Sequence, residues 1–384
     1  MRPIGLSKRH LSKRKKDMAI KPVKAGIIGC GNISGRYMET CKKLDILDLV
    51  ACSDIILERA QAAAEKFDIP SCGYNEVVLD NPEVEMVICL TPPKVHTEIM
   101  LAALNAGKHA YTEKPFAIRK ADGQATLKLA KEKGLLVGGA PDTFFGAGIQ
   151  TCRKLIDDGA IGRPIAAVGF MCSGGVETWH PDPEFFYQVG GGPMLDMGPY
   201  YVTTLVNLLG PVKRVTGSAQ VSFAERTITS KPKHGQTIKV ETPTHLSAVL
   251  DFHSGAVATL VMSFDVKGHH LPLIEIYGQD ATMSVPDPNG FGGTVLVGER
   301  KEGWKEMPLT HANAGNSRAI GAADMAAALR TGRNFRANGK MAYHVLEVMM
   351  AVEQASTSGR HVEIESTCER PAPLPTGLGD LELD

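Results

Sequence analysis

Val23-Lys24-Ala25-Gly26-Ile27-Ile28-Gly29-Cys30-Gly31-Asn32-Ile33-Ser34 is the stretch on which the fold is decided. A short apolar run, read as a strand, leads without a polar break into G-x-G-x-x-S, and a helix opens behind it. The first glycine permits a tight turn. The second lets the backbone approach a pyrophosphate, and the helix N-terminal amides, with Asn32 and Ile33 at the turn, face its negative charge. Ser34 stands where a third glycine is usual, which relaxes only helix-to-strand packing. Glycine-rich turns of this kind also occur without a ligand, so the context must carry the reading.

Outward from that stretch, residues 23–28, 48–53, 86–90, 109–112 and 135–138 read as strands, and 57–67, 97–106 and 120–133 as helices between them. Continuous apolar strands alternating with helices imply a parallel sheet covered on both faces, an α/β Rossmann dinucleotide-binding domain. The second strand ends at Asp54, whose carboxylate can accept hydrogen bonds from the adenosine ribose hydroxyls and would repel a 2′-phosphate. NAD is therefore favoured over NADP, with Arg59 close enough in sequence to serve NADP if it turns toward the site.

After Arg163 the texture changes to longer strand candidates, 165–172, 214–223, 245–252, 256–266 and 273–285, which imply an α+β domain built on a large, mostly antiparallel open sheet. A helix is expected over 200–209, with Val202, Leu205, Val206 and Leu209 on one face. Residues 256–264 are apolar at almost every position, so both sides of that strand should be covered, one by helices of the chain and one by a partner subunit. That predicts a homodimer or homotetramer through the sheet. The expected organisation is a basic extension over 1–22, the dinucleotide-binding domain over 23–142, the second domain over 143–339, a helix and strand over 340–363 packing back on the first domain, and an exposed tail over 364–384.

Composition narrows the classes. The chain has 384 residues, 43% hydrophobic and 22% charged, enough for a large core. Lys+Arg and Asp+Glu are 42 each, so no global excess recruits nucleic acid or an anionic membrane. Residues 1–17 nevertheless carry seven basic groups against Asp17, a net +6 that reads as a disordered extension, with Met18 an alternative start. Lys21 and Lys24 interrupt what would be the apolar part of an export signal, and no run reaches the ~18–20 residues of a membrane helix. The eight cysteines are scattered without a C-x-x-C pair, as buried thiols of a cytoplasmic protein would be. No metal site is expected, since His269 and His270, adjacent on a strand, would face opposite ways.

Further along, Thr91-Pro92-Pro93 stops the fourth strand at the edge where doubly wound folds bind ligands, and His96 follows at a helix start as part of the cofactor environment. Then come Ala106-Gly107-Lys108-His109, Glu113-Lys114-Pro115 and Gly190-Gly191-Gly192-Pro193-Met194-Leu195-Asp196-Met197-Gly198-Pro199-Tyr200. In this order the motifs resemble the glucose-fructose oxidoreductase/inositol dehydrogenase (Gfo/Idh/MocA) family, over about residues 23–363. The resemblance implies that Lys114 sits beside a nicotinamide, with Glu113 in the cofactor site, and that Asp196 and Tyr200 supply the other catalytic groups. Many members have histidine where this chain has Tyr200; the tyrosine form resembles the glucose-fructose oxidoreductase and dihydrodiol dehydrogenase branches. It further implies an NAD(P)-dependent dehydrogenase acting on sugars, sugar derivatives, glycosides or cyclitols.

The residue types suit that chemistry. Oxidising a secondary alcohol needs the hydroxyl proton removed as hydride departs and a cation beside the developing alkoxide. Lys114 supplies the charge, and next to a nicotinamide cation its pKa would fall; Tyr200 is the direct acid–base group, and Asp196 positions Lys114 or a substrate hydroxyl. Each also has an ordinary reading, as a loop cation, a helix cap and a packing tyrosine. For the substrate, Trp179 offers a flat apolar face and His180 a hydroxyl partner, while Asp142 and Phe144 follow the last strand of the first domain and could reach the same cleft. The competing functions are a redox-neutral glycosidase that retains NAD and a non-catalytic cofactor-sensing regulator.

Overall fold

The computed structural model describes residues 21–384. The basic stretch over 1–17 lies outside the described residues. β1 (Val23–Ile28), β2 (Leu47–Ser53), β3 (Ser71–Gly73), β4 (Met86–Cys89), β5 (His109–Thr112) and β6 (Val137–Gly139) form one sheet in the order β3-β2-β1-β4-β5-β6, every pair parallel. The edge strand β3, three residues long, leaves no apolar run to read. Between the strands run α1 (Ser34–Cys41), α2 (Leu57–Phe67), α3 (Glu76–Leu79), α4 (His96–Asn105) and α5 (Lys120–Lys133). The strands are buried on both faces, as their unbroken apolar character requires.

α6 (Ala147–Asp157) leads into the second sheet. β7 (Pro164–Cys172) is followed by α7 (Gly192–Leu209), β8 (Val212–Gln220), a separate small ribbon of β9 (Glu225–Thr227) and β10 (Thr237–Lys239), then β11 (His245–Phe252), β12 (Val257–Ser263), β13 (Ile274–Gly278), β14 (Thr282–Val285), β15 (Val295–Glu299) and β16 (Gly303–Met307). After α8 (Ile320–Thr331) and α9 (Gly339–Ser358), β17 (Val362–Glu363) completes a nine-stranded sheet in the order β16-β15-β14-β13-β7-β12-β11-β8-β17. Only β7 and β12 pair in parallel.

Several boundaries differ from the sequence expectation, each for a physical reason. The helix expected over 200–209 begins at Gly192, because Pro193 occupies its first turn, where no amide donor is needed. The strand expected over 273–285 is a hairpin, its turn closed by the Gly278 amide on the Ala281 carbonyl at 2.9 Å. In the strand expected to be covered on one side by the chain's own helices and on the other by a partner, Ala258, Leu260 and Met262 are buried within the chain while Val257 is 42% exposed. α9 does not belong to the first domain alone. It lies between the two, with Tyr343 and Leu346 against α5, and His344 accepting the Val212 amide of β8 at 3.0 Å. β17 pairs with β8, in the second sheet. The tail expected to be exposed is docked: the Leu374 amide reaches Gln150 Oε1 at 2.8 Å, the Leu381 amide reaches Asn313 Oδ1 at 2.7 Å, and Asp384 pairs with the buried Arg336.

Candidate active site

The turn after β1 is shaped by its glycines. Gly29 has φ of 102°, and a Cβ there would meet the Leu90 backbone at 2.8 Å, so no other residue fits without strain. Gly31 is the opposite case: a Cβ there would meet nothing within 4 Å. No side chain caps α1; its Ser34 and Arg36 amides close turns on the Gly31 and Ile33 carbonyls at 3.2 and 3.1 Å, and the positive end of the helix dipole faces that open space. An uncapped helix N-terminus next to a glycine facing open space fits a dinucleotide pyrophosphate. Asp54 is buried at the end of β2, and its two carboxylate oxygens accept the Cys30 and Ile56 amides, each at 2.8 Å. It thereby braces the glycine turn against β2 while each oxygen keeps acceptor capacity for a ribose hydroxyl. Ile55 beyond it is 84% exposed, and Arg59 lies exposed on α2.

The loop after β5 meets α7. Lys114 Nζ donates to Asp196 Oδ1 at 2.8 Å and to the Asp196 carbonyl at 2.6 Å, and it lies 5.2 Å from the centre of the Tyr200 ring. Asp196 and Tyr200 stand one turn apart on α7, on the face that meets Lys114. Pro199 removes the amide that would bond the Leu195 carbonyl, and one residue on, Lys114 adds a side-chain donor to the Asp196 carbonyl. Burial alone would lower the Lys114 pKa, but Asp196, Tyr200 and Glu113 outweigh it and hold the lysine above its ordinary value. In the chain by itself this lysine is a firm cation, whereas the sequence reading has its pKa falling beside a nicotinamide. Tyr200, only 7% exposed, is pushed above the usual phenol range by burial, which Lys114 and Arg318 oppose.

The remaining expected residues sit as follows. Glu113 is buried; its Oε1 accepts the Tyr37 hydroxyl of α1 at 2.7 Å and its Oε2 accepts the Lys114 amide at 2.9 Å, which ties the glycine-turn helix to the lysine loop. Thr91, Pro92 and Pro93 form the loop after β4. His96 is wholly buried, with Nδ1 2.8 Å from the Pro115 carbonyl and Nε2 2.7 Å from the Thr91 carbonyl, so it joins the two loops rather than facing a cleft. Burial holds its pKa down against the two carbonyls. Asp142 and Phe144, expected in the substrate cleft, are each 1% exposed and lie under the site instead. The Asp142 carboxylate is committed to the Ala319 and Gly321 amides, and burial raises its pKa to about 6. Trp179 is 66% exposed, and its ring meets His180 edge-on at 5.4 Å. His180 in turn meets the adjacent Phe185 and Phe186 rings edge-on at 5.7 and 5.1 Å, and neither Trp179 nor His180 hydrogen-bonds to the Lys114 group. Their loop is fastened from below by Glu177, which accepts from Arg226 at 2.8 Å.

Two residues at this site carry no motif. Tyr37 lies 76 positions from its partner Glu113, and Arg318, just before α8, is held by Asn289 Oδ1 at 2.7 Å beside the Phe291 ring. Neither leaves a spacing or periodicity by which sequence alone could find it.

Residues 23–139 match the family described as oxidoreductase family, NAD-binding Rossmann fold, and residues 149–284 match the GFO/IDH/MocA C-terminal domain. An inositol 2-dehydrogenase of Salmonella typhimurium is 29% identical over 170 residues, a match spanning 43% of this chain and about half, 51%, of that relative. A 1,5-anhydro-D-fructose reductase of Ensifer adhaerens is 26% identical over 350 residues, 89% of this chain and 98% of that protein. Among solved structures, an NAD-binding oxidoreductase from Klebsiella pneumoniae superposes with a TM-score of 0.78 over 90% of this chain and 99% of that one, at 21% identity. Among the described residues no helix is long and apolar enough to cross a membrane. With both family domains matched in chain order, the chain belongs to the Gfo/Idh/MocA family of NAD-binding oxidoreductases.

Proposed function

We propose that this oxidoreductase transfers a hydride between NAD and a secondary alcohol of a sugar, sugar derivative, glycoside or cyclitol. The observation that carries the reading is the meeting of Lys114, from the edge of the dinucleotide-binding sheet, with Asp196 and Tyr200, on a helix of the other domain. A cation, a carboxylate that fixes it and a phenol beside both are the groups that alcohol oxidation needs. NAD bound along the glycine turn supplies the hydride acceptor. Lys114, held protonated, stabilises negative charge on the substrate oxygen; Tyr200 takes or returns the hydroxyl proton; Asp196 keeps the ammonium in place. The relatives named for inositol and for anhydrofructose support a polyhydroxylated ring as substrate. The exposed Trp179 ring, with His180 beside it, suits the outer face of such a substrate. We place the enzyme in the cytoplasm, consistent with eight cysteines that are all free.

The test is NADH formation across a panel of aldoses, inositols and glycosides, with Lys114→Met beside wild type. The expected result is turnover on one substrate class that falls by about a hundred- to a thousand-fold in the variant while NAD affinity, read by calorimetry, persists. Silence across the panel with NAD still bound overturns the dehydrogenase reading in favour of a redox-neutral glycosidase or a regulator.

A further inference from the structure

Tyr37 and Glu113 are buried polar groups joined to Lys114 by hydrogen bonds, and the chemistry above does not use them. Tyr37, wholly buried, stands on α1 one turn beyond Ser34, and its hydroxyl donates to Glu113 Oε1 at 2.7 Å. Glu113, 8% exposed, follows β5 and accepts the Lys114 amide on its other oxygen, Oε2, at 2.9 Å. Its own amide donates to the Cys89 carbonyl of β4 at 2.9 Å. Each carboxylate oxygen thus takes one donor, and among the described residues no lysine, arginine or histidine lies at ion-pair distance from Glu113, the Lys114 ammonium going to Asp196 instead. A carboxylate taken out of water is costly unless hydrogen bonds replace its hydration, so the orientation of Glu113 is set by where these two donors stand.

Lys114 is fastened on its other side as well, since the next carbonyl, that of Pro115, lies 2.8 Å from His96 Nδ1. From this base the side chain spans to α7, where Nζ donates to Asp196 Oδ1 at 2.8 Å and to the Asp196 carbonyl at 2.6 Å. A lysine side chain is long and freely rotatable, so its ammonium is only as well placed as its backbone and its far-end partners. We propose that Tyr37 is a positioning residue for hydride transfer, acting through Glu113: its hydroxyl holds the carboxylate in the orientation that accepts the Lys114 amide, and so sets where the ammonium stands beside Asp196 and Tyr200. The proposal rests on the reading of Lys114 as the catalytic cation. No proton moves along these bonds; Tyr37 keeps its hydroxyl proton and the Lys114 amide keeps its own. Phenylalanine at position 37 fills the same space but leaves Glu113 Oε1 buried without a donor, so the carboxylate turns to other partners and the Lys114 amide loses a fixed acceptor. A displacement of about 1 Å at a reacting group costs up to about a hundredfold in rate, so modest slack at this loop is felt in catalysis. The same bond ties α1, whose N-terminus faces the open space at Gly31, to the loop that carries the lysine.

The test uses the full chain labelled with nitrogen-15 lysine, in which NMR follows the exchange of each lysine amide with deuterium and the Lys114 amide is assigned by its loss in Lys114→Met. In Tyr37→Phe the Lys114 amide should exchange about tenfold faster or more, while the other lysine amides keep their wild-type rates. A tyrosine that served overall stability alone would speed the slowly exchanging lysine amides together. Hydride transfer should weaken with it, kcat falling by about tenfold or more with KM for NAD unchanged. That fall should vanish in a Lys114→Met background, because a residue that acts through Lys114 then has nothing left to position. Glu113→Gln, whose side-chain amide can accept from Lys114 and donate to the Tyr37 oxygen, should keep most of the Lys114 protection, and Glu113→Ala should lose it. An unchanged Lys114 exchange rate in Tyr37→Phe overturns the proposal, whether or not a substrate has been found, and so does an equal fall of kcat in both backgrounds. Faster exchange at Lys114 in a chain that oxidises nothing would support the hold of Tyr37 on the lysine loop and count against the dehydrogenase reading. Should Tyr37→Phe fail to fold, the two Glu113 variants decide on the same resonance, and equal protection in the glutamine and alanine forms overturns the proposal.

Discussion

Lys114 and Asp196 neutralise each other at the centre of the site, so the electrostatic cost of burial falls on the groups around them, and on Asp142 most plainly. That carboxylate holds two amides at the start of α8, yet burial lifts its pKa from about 3.8 to about 6. A carboxyl whose folded pKa is raised contributes stability that is fully present below its unfolded value and lost as pH rises through the folded one. From well below pH 3.8 to well above pH 6 the loss amounts to about 3 kcal/mol. Denaturant unfolding at a series of pH values should therefore show wild type losing stability across this window relative to Asp142→Asn, which cannot ionise. Parallel curves for the two proteins would mean that the carboxyl titrates as it does in water. The same clamp carries Arg318, so Asp142→Asn should leave Arg318 in place below pH 5 and above it alike.

At the scale of elements, the strand–turn–helix unit of β1 and α1 makes two opposite demands on its glycines. Gly29→Ala forces a side chain into φ of 102° and against the Leu90 backbone, and should lower stability by about 1–3 kcal/mol. Gly31→Ala meets nothing in the protein. It should melt with wild type by calorimetry, yet bind NAD at least about tenfold more weakly, because the added methyl occupies the space a pyrophosphate needs. Equal NAD affinity in Gly31→Ala and wild type would show that the cofactor does not lie along this turn. α7 works differently. It carries Asp196 and Tyr200 on the turn that contains Pro199, and its Gly- and Pro-rich start hides the helix from any reading of apolar periodicity.

For the whole molecule, the nine-stranded sheet is covered by α7 and α9 on one face and open on the other. Val249 and Val257, 36% and 42% exposed, lie on that open face with Thr216, Ser247 and Thr259 around them. An apolar stripe on so broad a sheet suits burial against a second copy, and we propose a homodimer or homotetramer through it. Val249→Lys with Val257→Lys should convert the oligomer to monomer in sedimentation while the melting of the isolated chain stays near wild type; a monomeric wild type at micromolar concentration would refute the assembly. The sequence by itself determined the doubly wound sheet, the turn at Gly29 and Gly31, Asp54 at the end of the second strand and the candidate trio of Lys114, Asp196 and Tyr200. Those features are written in short spacings, in strands whose burial demands unbroken apolar runs, and in motifs kept in a fixed order. Only the tertiary structure decided that His96 ties two loops together, that Asp142 clamps α8 from below and that residues 371–384 dock along the surface. Each of these is a contact between segments far apart in the chain, made by single polar groups, and such contacts impose no period on the residues between them.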